Sequence, residues 1–192
     1  KGLPDAMRDL RLEPGDLCAC WSPDWPSRAI SWATSSLFGP LRYAPSHVAI
    51  IAPWQGKPRW FESTTFARSP CLYRNLHAQG AQIQEPADRS LDYMNARGRA
   101  QVYRLHDRYA LNGPESTDLA QTLIAEFVEP GITYDAAGAL WSGTRWLSRS
   151  QLMPGADLES VFCSEMAAAA LQSVGRLSTH YNPAIVDPGR LF

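Results

Sequence analysis

The stretch from Ser46 to Thr64 constrains this chain most. Ser46–Ala52 reads Ser-His-Val-Ala-Ile-Ile-Ala, a β-branched and apolar run that predicts a strand. Arg59–Thr64 reads Arg-Trp-Phe-Glu-Ser-Thr and predicts the next. The link Pro53-Trp54-Gln55-Gly56-Lys57-Pro58 is turn-forming, so the two strands are expected to pair as a hairpin. With the turn centred near Gln55-Gly56, antiparallel partners have residue numbers that sum to about 111. Glu62 then lies opposite Ala49, one same-face step from His47.

Around the hairpin the chain reads as short strands followed by helices. Pro14-Gly15 marks a turn feeding a strand within residues 12–20. A helix is expected from Pro26-Ser27 to about Phe38, with Ile30, Ala33 and Leu37 on one side, ended by Gly39-Pro40. Residues 66–98 are weakly patterned. Ala100–Leu105 predicts a strand, with a breaker at Asn112-Gly113-Pro114. Ser116–Val128 predicts a helix capped by Ser116 or Thr117, with a stripe of Ala120, Leu123, Ile124, Phe127 and Val128, stopped by Pro130-Gly131. A helical reading also fits Ala136–Leu147, anchored by Leu140, Trp141 and Trp146. Cys163–Val174 is an alanine-rich helix closed by Gly175. The tail, Asn182-Pro183 to Phe192, is expected to wrap the surface. This order implies an α+β fold with a mainly antiparallel sheet packed against helices. At 192 residues the whole chain is expected to form one domain.

Several function classes are disfavoured. The net charge is −1, with no basic stripe, so nucleic acid is not an expected partner. No apolar run reaches the roughly 20 residues of a transmembrane helix. No signal peptide is visible, and the start at Lys1-Gly2-Leu3-Pro4-Asp5 suits a mature or trimmed form. Cys18 and Cys20 share a strand face but lack zinc-site spacing, and read as small buried hydrophobes. A disulfide framework is not expected from four cysteines in a chain of this length.

A thiol hydrolase needs a thiolate, an imidazole that exchanges its proton, and a polar group that orients the imidazole. Cys163 heads a predicted helix after Val161-Phe162. Free N–H groups and the positive dipole end there favour a thiolate, and the Cys163 N–H is available to an oxyanion. His47 heads an apolar strand, half-buried and rigidly held, which suits a base. Glu62 sits mid-strand between apolar neighbours and needs a partner. Each has a plainer reading as a core cysteine, a structural histidine or a satisfied carboxylate. Their conjunction is what carries the chemistry.

These segments, Ser46-His47-Val48-Ala49-Ile50-Ile51, Phe61-Glu62-Ser63 and Phe162-Cys163-Ser164-Glu165, resemble the permuted NlpC-type papain-like cysteine hydrolases of the YiiX/YebB-like branch. Pro14-Gly15-Asp16-Leu17 and the helix of residues 27–37 resemble the start of those domains, so the likeness covers about residues 12–175. Unpermuted relatives place the cysteine helix before the histidine strand; here the order is His, acid, Cys. The resemblance implies a circularly permuted papain-like fold with Cys163 as nucleophile at a helix N-terminus, His47 as general base and acid, and Glu62 as its orienting residue. It also implies a tyrosine at the oxyanion site. Tyr134, in Gly131-Ile132-Thr133-Tyr134-Asp135, matches best, although a long Trp-containing segment separates it from Cys163. No metal or organic cofactor is implied.

His77, His106 and His180 have no acid or cysteine at suggestive spacing and read as surface or structural. Glu165 is expected to point away from the thiol and to favour the helix N-terminus. Ser46 and Ser164 lie in no Gly-x-Ser-x-Gly elbow. Trp21, Trp25, Trp32, Trp141 and Trp146 suit a substrate cleft, with core packing as the default.

The leading expectation is a cysteine hydrolase that cleaves amide bonds of cell-wall (peptidoglycan) peptide, periplasmic or secreted, as in a bacterial effector. The alternatives are a lipid-ester or fatty-acyl amide hydrolase or acyltransferase, with Trp21–Trp32 and Ala139–Leu147 lining an apolar cleft, and a binding module of the same fold without catalysis. No motif specifies an inhibitor or delivery protein.

Overall fold

The computed structural model describes residues 11–21, 45–66, 68–134, 160, 161, 163–183, 186 and 191. The expected helices at 26–38 and 136–147 lie outside them, as do Trp25, Trp32, Trp141 and Trp146. The described strands and α-helices are β1 (Leu17–Trp21), β2 (His47–Trp54), β3 (Lys57–Thr64), β4 (Gly80–Gln84), α1 (Pro86–Asn95), β5 (Arg99–Tyr103), α2 (Gly113–Thr122), β6 (Thr133–Tyr134), β7 (Ser160–Val161) and α3 (Cys163–Ser173). The first five strands form one sheet in the order β4-β3-β2-β1-β5, with every neighbouring pair antiparallel. The α+β architecture read from the sequence is therefore observed. No helix among the described residues is long and apolar enough to cross a membrane.

The hairpin β2–β3 pairs in the expected register, with Ile50 opposite Phe61 and Ile51 opposite Trp60. Its strands run further than expected, because only Gln55 and Gly56 form the turn and Pro53–Pro58 and Trp54–Lys57 are paired. Both turn residues have positive φ, 52° and 73°, the backbone of a two-residue turn whose twist matches the flanking strands.

Alternation along the strands gives the sheet two different faces. On one, Val48, Ile50, Phe61 and Ile83 pack against Leu119, Leu123 and Phe127 and against Met166, Ala167 and Ala170. This is the larger apolar core, and each fully buried large side chain contributes roughly 1.5–3 kcal/mol. On the other face Cys18, Cys20, Ala49, Ile51 and Trp60 meet Tyr93 of α1, and His47 and Glu62 belong to the same alternation. Cys18 and Cys20 are thus buried free thiols, as expected.

Three readings need correction. The weakly patterned 66–98 region holds β4 and α1. The hydrophobic signal there is weak because β4 is an edge strand whose α1-facing side carries Gln82 and Gln84, and because α1 buries Arg89 and Ser90 along with Tyr93. Asn112-Gly113-Pro114 does not break structure. Asn112 is the N-cap in place of Ser116 or Thr117, forming a reciprocal capping box with Glu115, and proline suits the first helical turn. The helix after it continues past Thr122 as a π-helical stretch, Leu123–Val128, which carries most of the expected stripe and turns Ile124 partly outward.

Gly80 opens β4 at φ 93°, where a Cβ would collide with the Ile132 carbonyl oxygen. That carbonyl accepts the Ala81 N–H at 2.9 Å, which fixes the chain just before β6. Gly80→Ala is expected to lower unfolding stability by more than about 1 kcal/mol, seen as an earlier urea midpoint. An unchanged midpoint would show that this close approach is not structural.

Candidate functional site

The site is assembled at the end of the sheet where β2 begins and β3 ends. Helix α3 lays its body on the larger core while its first residue, Cys163, reaches His47. The thiol and the imidazole lie within hydrogen-bonding reach. His47 Nε2 is also 2.8 Å from Glu62 Oε2. Cys163, His47 and Glu62 are 1%, 7% and 0% exposed. His47 is therefore buried, not half-buried as its position at a strand start suggested, because α1 covers it and Tyr93 stacks on its ring at 5.9 Å.

Glu62 finds a partner that the sequence reading missed. Arg89 of α1, wholly buried, places Nε 2.5 Å from Glu62 Oε1. The Tyr93 hydroxyl donates to Oε2 at 3.4 Å. A carboxylate in mid-strand called for such a cation. The signal lay in Arg89 and Tyr93, four residues apart and so on one helix face, after the Glu85-Pro86 helix start.

Tyr134 pairs through its backbone with Val161 in the parallel β6–β7 bridge, two residues before Cys163. The hydroxyl role expected of it falls outside the described side chains. Glu165 is buried at the first turn of α3. His77, His106 and His180 are all exposed, and His106 accepts the Arg108 N–H at 3.3 Å. Trp21 is buried, with Arg99 4.1 Å above its ring.

The electrostatics follow from this packing. Burial alone would strip the proton from His47, but Cys163, through charge and a hydrogen bond to the ring, and Glu62 outweigh burial and raise the pKa from 6.5 to about 9. For Glu62, burial pushes the pKa up. The Arg89 charge, then the His47 hydrogen bond and charge, with a smaller part from Trp60, bring it from 4.5 down to about 2. Burial raises both Cys20 and Tyr93, with Glu62 adding to each, so these neighbours stay protonated. The arrangement favours an imidazolium held against an ionised Glu62.

The same shifts set a stability window. His47, raised above its unfolded value, stabilises the fold in full below pH 6.5 and loses that contribution as pH rises through about 9. Glu62, lowered, contributes in full above pH 4.5 and loses it as pH falls through about 2. Both are complete between pH 4.5 and 6.5. In urea titrations at several pH values, His47→Gln is expected to shrink the alkaline decline by roughly 1–3 kcal/mol. A variant that declines as steeply as the wild type would refute the His47 assignment.

No protein-family model matches the sequence, and no curated protein matches it either. The structure is similar to that of the metalloprotein YiiX (DUF1105) from Escherichia coli O157:H7, with a TM-score of 0.56 and 17% identity, over 92% of this chain and 79% of that one. Metalloprotein describes that protein. Among the described residues here, no three His, Cys, Asp or Glu side chains gather as metal donors, and both Glu62 oxygens are engaged by Arg89 and His47. At this identity the likeness is one of fold, and the chain has a YiiX-like α+β fold.

Proposed function

We propose that this protein is a cysteine hydrolase of the circularly permuted papain-like kind, acting on amide bonds, with Cys163 as nucleophile, His47 as base and acid, and Glu62 as the residue that orients the imidazole. One observation carries the reading: His47 is fixed at Nε2 by a buried carboxylate 2.8 Å away, while the thiol that leads helix α3 lies within hydrogen-bonding reach of the same ring. Nucleophile, proton carrier and orienting anion are the three parts thiol acyl transfer requires.

In the proposed reaction Cys163 Sγ attacks the amide carbonyl, and the charge on oxygen is met by backbone N–H groups at the start of α3, with Tyr134 as the candidate side-chain donor. His47 passes its proton to the leaving nitrogen as the C–N bond breaks, leaving a thioester. Water then adds to the thioester, giving one proton to His47, and the acid is released with the thiolate restored. No step calls for a cofactor. The proposed substrate is peptidoglycan peptide, which places the enzyme in the periplasm or among secreted effectors. The support for this is the motif resemblance together with the YiiX-like fold.

Incubation of purified peptidoglycan with wild type is expected to yield new muropeptides that Cys163→Ala does not produce, with His47→Ala slowed roughly 10²–10⁴-fold. Equal fragment yields from wild type and Cys163→Ala would overturn the cysteine mechanism. An unchanged muropeptide profile from a wild type that still acylates Cys163 with N-acyl amides or lipid esters would move the substrate to those classes.

A further inference from the structure

We propose that Arg89 is a positioning residue of this site, holding Glu62 ionised and in a single orientation so that its second oxygen stays on His47. The inference rests on the reading of Cys163 as nucleophile and His47 as its proton carrier.

Arg89 is wholly buried and is held from several sides. Its Nη2 donates to the Phe66 carbonyl at 2.6 Å and its Nη1 to Asp92 Oδ2 at 3.3 Å. Asp92 is itself held by the Ser69 hydroxyl at 2.7 Å. The guanidinium carbon lies 4.6 Å from the Phe66 ring centroid and 5.3 Å from that of Tyr93. A cation so confined presents Nε to Glu62 Oε1 at 2.5 Å and cannot follow the carboxylate if it rotates. Glu62 is then anchored at one oxygen and offers the other to His47 at 2.8 Å. Without the anchor, a carboxylate in a dry sheet face takes up a proton, and a protonated carboxyl no longer stabilises an imidazolium.

The titratable groups facing Glu62 are His47 from β2, Cys18 and Cys20 from β1, and Arg89 and Tyr93 from α1. Cys163 of α3 acts on it through His47. The two thiols and the phenol are all pushed up by burial and stay neutral. Arg89 is therefore the one permanent cation among them. A simpler alternative is that Arg89 only docks α1 on the sheet. That role predicts lost stability without any change in how Cys163 responds to pH.

The deciding experiment follows alkylation of Cys163 by iodoacetamide in the full-length protein, mapped by peptide mass, across the pH range; it needs no substrate. Arg89→Gln is expected to move the acid limb of the labelling profile upward by roughly one to three pH units. Arg89→Lys keeps the charge and is expected to keep the limb in place. In a Glu62→Gln background, Arg89→Gln should add no further shift, because the residue it acts through is gone. A wild-type-like profile in Arg89→Gln, or the same shift in both backgrounds, overturns the role of Arg89. If Arg89→Gln does not fold, carboxyl carbon-13 titration of wild type decides: Glu62 ionised down to about pH 2 supports the proposal, and titration at its ordinary 4.5 overturns it. A wild type whose Cys163 takes no label at any pH instead overturns the nucleophile reading, a separate result.

Discussion

The site and the packing around it depend on one buried carboxylate. Glu62 lies on β3, beside the edge strand β4 of the five-stranded sheet, and is fully enclosed, where an uncompensated charge costs several kcal/mol. It is tolerated because both oxygens are occupied, one by Arg89 and one by His47. Each partner comes from a different element, so compensation of one charge ties β3 to both β2 and α1. The position of α1 over this face is thus an electrostatic necessity as much as a hydrophobic one. Its apolar contribution to the face is chiefly Tyr93.

The two faces of the sheet divide the work. One face is a dry core of aliphatic and aromatic side chains packed by α2 and α3. The other carries thiols, an imidazole, a carboxylate and a guanidinium among fewer apolar groups. Helix α3 joins the two, since Met166, Ala167 and Ala170 belong to the first face while Cys163 meets His47 of the second. A close-packed core resists displacement by even small amounts, so anchoring the body of α3 there fixes its leading residue without strain at the site. The alanines at 167–170 let the helix lie close to the sheet.

What the sequence disclosed followed from local rules. The hairpin register was legible because a two-residue turn sets the pairing of every residue beyond it. That register carried Glu62 to the same face as His47. The helix starting at Cys163 was legible from its alanine run and its closing glycine, which has φ 68°. Arg89 was not legible, because its importance arises from a contact with Glu62, 27 positions earlier in the chain, with no periodic apolar signal to announce the helix that bears it. Asn112 was misread for a related reason: Asn-Gly-Pro signals a turn and a capped helix start equally well, and only Glu115 reaching back settles which. The depth of His47 was also hidden, since burial at a strand end is decided by whichever helix covers it.

The charge balance of the site explains why it should behave as a unit. On the proposed reading four groups are ionised together: Arg89 and His47 carry positive charge, Glu62 and Cys163 negative. Along the chain of contacts the signs alternate, from Arg89 to Glu62 to His47 to Cys163, and the sum is zero. A neutral alternating set can be buried where any single member could not, because each charge has an opposite neighbour within contact distance. Removing an inner member leaves like charges facing each other across a gap, while removing an outer one leaves its neighbour half-compensated. On that reading the set is stable when complete, and the guanidinium three contacts away closes the series that would keep a thiolate at Cys163 out of water.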